Sequence, residues 1–91
     1  MQIEYILKPQ NMKIKKNIAV SENGFVFDPT TGDSYSLNPI GAEIMTMMKE
    51  GKDLPAIEKF IMDKYEVDKG NFEKSYMDFV TMIKQYHLTE E

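Results

Sequence analysis

The sequence predicts an α+β domain: a small three-stranded antiparallel sheet followed by three helices, resembling a winged helix with its sheet placed first. Three observations lead there. Up to Leu37 the chain consists of short segments of alternating apolar and polar residues, separated by turn formers. Beyond Asn38 the apolar residues return every three or four positions, the period of a helix with one buried face. The two patterns do not interleave, which argues against the strand–helix–strand units of a parallel sheet.

The elements follow in order. Ile18-Ala19-Val20-Ser21 is a short apolar run stopped by Glu22-Asn23-Gly24, a hairpin turn. Gly24-Phe25-Val26-Phe27-Asp28 alternates as a half-buried strand does. Pro29-Thr30-Thr31-Gly32 is a turn cluster, and Asp33-Ser34-Tyr35-Ser36-Leu37 alternates again. Strands are therefore expected at Asn17–Ser21, Gly24–Asp28 and Asp33–Leu37. Phe25 with Phe27, and Tyr35 with Leu37, are expected on one sheet face. The helices must cover that face, because three bare strands are marginal in water.

Asn38 is an N-cap, and Pro39 is harmless at the first helical position, where its missing N–H would be unpaired anyway. Ile40, Ile44, Met47 and Met48 form the stripe of this first helix, and Gly51 stops it. Asp53 caps a second helix with the stripe Leu54, Ile57, Phe60, Ile61 and Tyr65. Asp68 caps a third, with Val67 and Phe72 as a hydrophobic staple around it. Phe72, Tyr76, Phe79, Ile83 and Tyr86 line one face of that last helix. Gly41, inside the first helical turn, permits close packing of the first helix against the sheet.

The chain has 91 residues, room for a single hydrophobic core. We read residues 12–91 as that domain and residues 1–11 as an N-terminal extension. Ile3, Tyr5 and Leu7 alternate in the extension, so it is either a partly ordered tail, or an added strand in a sheet or a self-association arm. The first residues carry an early glutamate and lack a long apolar run, unlike a secretory signal. No run approaches the ~20 apolar residues that span a bilayer, so no membrane partner and a cytoplasmic location are expected.

Function classes narrow further with charge and chemistry. Without cysteine there is no disulfide, thiol nucleophile or cysteine-held metal. From Asn17 onward seven lysines face fourteen acids, and no arginine occurs anywhere. An acidic body without arginine is a poor binder of phosphate, so nucleic acid is disfavoured as a partner despite the winged-helix pattern. The sole histidine, His87, lies near a helix C-terminus with no nucleophile or orienting partner, and reads as a cap. The helical carboxylates alternate with lysines as on a solvated surface. No glycine run forms a phosphate cradle, and no cofactor or metal is expected.

One feature is left over. The strand at Asp33–Leu37 runs directly into a helix start, so no further strand can follow to cover its edge. An open strand edge is a hazard or a docking site. On the third helix, Glu73, Met77, Val80 and Lys84 form a flank turned away from the centre of the apolar stripe. Methionine and valine there suggest a groove that adapts to a ligand.

The segment Tyr35-Ser36-Leu37-Asn38 followed by Gly41-Ala42-Glu43-Ile44 closely resembles the PqqD family, the small chaperones of pyrroloquinoline quinone biosynthesis and related precursor-peptide recognition elements. Glu22-Asn23-Gly24, Phe25-Val26-Phe27-Asp28, Thr31-Gly32, Gly51 and Tyr65 follow the family's order, over approximately Ile14 to Leu88. Departures include Tyr86-His87-Leu88, where a glycine is common. The resemblance implies a non-catalytic module that binds the leader of a ribosomally made precursor peptide as an added strand. It implies presentation to a modifying enzyme, often a radical-SAM protein. The peptide-binding residues so expected are Asp33, Ser34, Tyr35, Ser36, Leu37, Tyr76, Met77, Val80 and Lys84. The competing readings are a DNA-binding or transcription-associated domain, and an accessory subunit whose open strand pairs with a second copy in a homodimer.

Overall fold

The computed structural model describes residues 13–90, so the extension at residues 1–11 lies outside the described residues. Three strands, β1 (Ala19–Val20), β2 (Phe25–Asp28) and β3 (Asp33–Ser36), form an antiparallel sheet in the order β1-β2-β3. Three helices follow: α1 (Pro39–Lys49), α2 (Leu54–Tyr65) and α3 (Lys69–Gln85). The predicted α+β architecture is the observed one.

Each helix starts on its predicted cap. The side chains of Asn38, Asp53 and Asp68 accept from the backbone N–H of Gly41, Ala56 and Asn71 at 2.8, 3.1 and 2.8 Å. These bonds satisfy donors that the first turn would otherwise leave bare, and each such cap is worth about 1 kcal/mol. α1 ends in a two-bond closure, with Lys52 donating to Met47 and Gly51 to Met48, both at 3.0 Å. Gly51 takes the left-handed conformation this closure needs, at φ +83°.

α3 ends in the same way without a glycine. Leu88 donates to Ile83 at 2.9 Å and His87 to Lys84 at 3.1 Å, while His87 itself sits at φ +58°. His87 therefore caps through its backbone, in the position where glycine is the usual occupant. Leu88 and Ile83 are both fully buried at the closure. The chain then pairs back on its start: Ile14 bridges Thr89, and Glu90 donates to Lys13 at 2.7 Å.

The core lies between the inner sheet face and the helices. Ile18, Val26, Ile44, Met45, Ile57, Ile61, Phe72, Tyr76, Ile83 and Leu88 are its most enclosed members. Full burial of such a side chain is worth roughly 1.5–3 kcal/mol.

Two expectations about facing are corrected. Phe25 and Phe27 are 57% and 44% exposed, on the outer face, while Val26 and Asp28 point inward. The register is the reason: the four-residue turn after Asp28 pairs Asp28 with Asp33 and Val26 with Tyr35, so Phe25 and Phe27 fall opposite Ser36 and Ser34. The buried Asp28 holds that turn, accepting from Thr30 N–H at 2.9 Å through its carboxylate and from Gly32 N–H at 2.7 Å through its carbonyl. Phe60, assigned to the second helix's stripe, is 40% exposed.

Candidate functional site

Among the described residues β3 pairs only with β2, leaving its other edge free. The hydrogen-bond phase says which groups face that edge. Leu37 N–H donates to Gly24 carbonyl at 2.8 Å. In an antiparallel ladder the laterally directed groups alternate, so Tyr35 and Asp33 also face β2. The N–H and C=O of Ser34 and Ser36 point to the open margin.

Gly24 makes this phase possible. It sits at φ +88°, and a Cβ there would lie 2.7 Å from the Leu37 carbonyl oxygen, a distance no side chain tolerates.

Beside the edge, β3, the start of α1 and the middle of α3 enclose a cavity of about 250 Å³. One wall is Ser36, Leu37, Asn38, Ile40 and Gly41; the other is Ser75, Asp78, Phe79 and Met82. Gly41 lets the walls meet: an added Cβ would stand 3.1 Å from the Asn38 side-chain oxygen and 3.8 Å from the Phe79 ring. Asp78 reaches Lys74 at 3.6 Å, but both side chains are largely exposed, so this pair restrains the carboxylate only weakly.

Further along α3, Tyr86 stacks on Tyr35 with ring centroids 4.4 Å apart and planes at 29°. Ser75, Phe79, Met82 and Tyr86 thus form one line of α3, at spacings of three and four residues, facing β3 and the start of α1. The Tyr35 hydroxyl has its pKa raised by desolvation, then by the carboxylates of Asp33 and Asp28 and by Tyr86. It stays protonated at neutral pH and so keeps a hydrogen-bond donor.

The expected site residues divide. Asp33, Ser34, Tyr35 and Ser36 are β3 itself, and Leu37 follows it; Ser36 and Leu37 line the cavity. Tyr76 and Val80 are core residues, 1% and 3% exposed, and neither lines this cavity. Met77 is half-buried and Lys84 exposed, and neither borders the cavity. At about 100° per residue, the Met77–Val80–Lys84 flank lies on the far side of the core stripe from Ser75, Phe79 and Met82.

Residues beside this edge that were not among those expected are Asn38, Ile40, Gly41, Ser75, Asp78, Phe79, Met82 and, at the end, Tyr86. A sequence signal for the flank that borders β3 exists: Ser75, Phe79, Met82 and Tyr86 are themselves spaced as a stripe. A larger hollow of about 580 Å³ lies around Met47 and Phe60 between α1 and α2, bordered by no strand of the sheet.

The model of one protein family, coenzyme PQQ synthesis protein D (PqqD), matches residues 24–88, most of the chain and all of the elements that build the edge and its cavity. The chain belongs to the PqqD family. Two solved structures share the PqqD-like architecture seen here. TbiB1 in complex with the TbiA(beta) leader peptide is 27% identical, with a TM-score of 0.75, covering 87% of this chain and 95% of that one. A lasso peptide synthetase B1 complexed with its leader peptide has a TM-score of 0.74 and covers 89% of this chain and 99% of that one. At 20% identity the second shows the fold alone. A search of curated proteins returns no significant match.

Proposed function

We propose that this PqqD-family chain binds the leader of a ribosomally made precursor peptide as a fourth strand on β3 and presents it to a modifying enzyme. That enzyme is a radical-SAM protein or another maturase, and the chemistry resides there rather than in this chain. The observation that carries the reading is the coincidence of a free strand edge with a cavity directly beside it. The leader-bound state of TbiB1, at 27% identity, supports the same occupant.

The energetics require both parts of the site. Backbone hydrogen bonds to Ser34 and Ser36 contribute about 0.5–1.5 kcal/mol each after the exchange with water. A micromolar complex needs about 8 kcal/mol. The remainder must come from leader side chains, and the inward-pointing ones meet Leu37, Ile40, Phe79 and Met82. Burying one leucine-sized side chain there adds roughly 1.5–3 kcal/mol. The edge therefore supplies grip with little sequence preference, and the cavity supplies selection.

The test is to select a random peptide library of strand length on the protein and titrate the winners into isotope-labelled protein. Shifts at Ser34–Leu37 together with Ser75–Met82 are expected. Winners that perturb only other surfaces, or a failure to select any, would remove the basis for this reading.

A further inference from the structure

The outer sheet face has a composition that the proposed site leaves unused. Phe27 stands between Ala19 of β1 and Ser34 of β3, its direct partners in the register. Phe25 stands opposite Ser36, and on the other side its carbonyl accepts from Ser21 N–H at 2.8 Å while its N–H donates to the Ser21 hydroxyl at 3.1 Å. Two exposed rings, two residues apart, are thus flanked on both sides by small side chains. No charged residue shares these two rows. Isolated exposed apolar residues need no account; this adjacent uncharged pair gains meaning only from what can be anchored beside it.

What covers the pair is decided by area and position. Phenylalanine buries about 150–250 Å² when enclosed, so two rings roughly half exposed offer about 200 Å². A stable interface with a second globular molecule needs about 800 Å² per partner. The patch is too small to hold a second copy or a folded enzyme by itself. It suits an occupant already anchored next to it, and of the two edge strands β3 presents four residues to the two of β1 and has the cavity beside it.

Between each ring and that edge stands a serine. A strand added to β3 places alternate side chains on the outer face, directly opposite Ser34 and Ser36. Because serine is small, a long apolar side chain at either position can lean across it onto the ring behind. Diagonal and second-row contacts of this kind lie within reach of aromatic and long aliphatic side chains.

We infer that the leader is read on both faces of its strand, its outward residues two apart being apolar and docking on the Phe27–Ser34 and Phe25–Ser36 rows. This rests on strand addition at β3. It adds a specificity site there: the inward residues meet the cavity, the interleaved outward ones meet the phenylalanines. The bound peptide then has apolar residues on both sides, unlike an edge strand with one solvated face. Single-stranded nucleic acid would also stack on such rings, but fourteen acids against seven lysines from Asn17 onward repel its backbone.

The experiment is selection from a random peptide library of strand length on three proteins: the natural chain, Phe25→Thr/Phe27→Thr, and Ser34→Glu/Ser36→Glu. Threonine keeps strand propensity, and the glutamates leave both rings in place. On the natural chain the winners should carry large apolar residues at two outward positions, and their affinity should fall about tenfold on the threonine variant. On the glutamate variant the same two positions should turn to lysine or arginine.

Winners that bind the β3 edge, by amide shifts at Ser34 and Ser36, yet show polar or random outward residues would overturn the inference and leave strand addition standing. Equal affinity for the natural and threonine proteins would do the same. The absence of any edge-binding peptide would overturn both.

Discussion

Tyr35 and Tyr86 stack at 4.4 Å, the one aromatic contact joining β3 to α3 among the described residues. Tyr35 sits in the middle of β3 and Tyr86 at the C-cap of α3, so the pair holds one end of the edge against the helix. Stacked aromatics add about 0.5–1.5 kcal/mol beyond their buried area. Tyr86→Ala is expected to lower stability by about 1–2 kcal/mol in urea unfolding and to speed amide exchange in β3. Unchanged exchange at Ser34–Ser36 would show that the stack does not brace the strand.

Gly24 is expected to tolerate no side chain. Its left-handed φ and the 2.7 Å approach to the Leu37 carbonyl act together. Gly24→Ala should destabilise by about 2–3 kcal/mol, the scale of a strained backbone position. A urea midpoint close to that of the natural chain would contradict this account.

His87 marks a position where the natural residue is not the most stable one. It holds φ +58° in the closure of α3, a conformation that disfavours any side chain. His87→Gly should raise stability by about 1 kcal/mol without altering peptide binding, because the closing bonds use backbone atoms. A lower melting temperature would mean that the imidazole contributes contacts outweighing the strain.

The two flanks of α3 can be tested separately for a part in peptide binding. Met82 lines the cavity, whereas Met77 lies on the opposite flank. Both are partly exposed, so a carboxylate at either is tolerable to the fold. Met82→Asp should weaken library-selected peptides by tenfold or more, and Met77→Asp should change affinity less than twofold. The reverse ranking would restore the Met77 flank as the binding wall.

Alkaline pH should unfold the protein through its tyrosines. Burial raises the pKa of Tyr76, so the folded state keeps that phenol protonated beyond the ordinary value near 10. The neutral form is the one the fold favours. Its contribution is complete below pH of about 10 and is lost as pH climbs from there through the raised folded-state value. Tyr76→Phe should therefore flatten the decline of stability in that window while changing little at neutral pH. Tyrosinate absorbance that rises in full at the pH of an ordinary exposed phenol, before unfolding, would count against it.

Local signals in the chain were enough for element order and ends. Asn38, Asp53 and Asp68 mark helix starts because capping is an interaction within a few residues, and Gly51 marks an end for the same reason. The free edge was legible too, because Leu37 runs straight into the helix at Pro39. The facing error in β2 has a different cause. Gly24-Phe25-Val26-Phe27-Asp28 alternates equally well in either phase, and taking the larger residues as the inner set selects Phe25 and Phe27. The phase depends on which residues of β3 stand opposite, so Ser34 and Ser36 across from the rings hold the answer, once the turn register is known.

The α3 flank is the same problem in helical form. Phe72, Tyr76 and Ile83 define the core stripe, and partly apolar residues border it on both sides. Ser75, Phe79, Met82 and Tyr86 are as regular as Glu73, Met77, Val80 and Lys84. Periodicity states that a stripe has two shoulders; it does not state which shoulder another element will approach.

The order of strands and helices, their caps and the exposed edge thus follow from contacts between near neighbours in the chain, whose geometry is nearly independent of everything else. Which sheet face meets the helices, which shoulder of α3 borders β3, and that Tyr86 leaves the core to stack on Tyr35 were settled only by the packing. These are contacts between distant segments, and their choice turns on how the whole set of side chains fills one small interior.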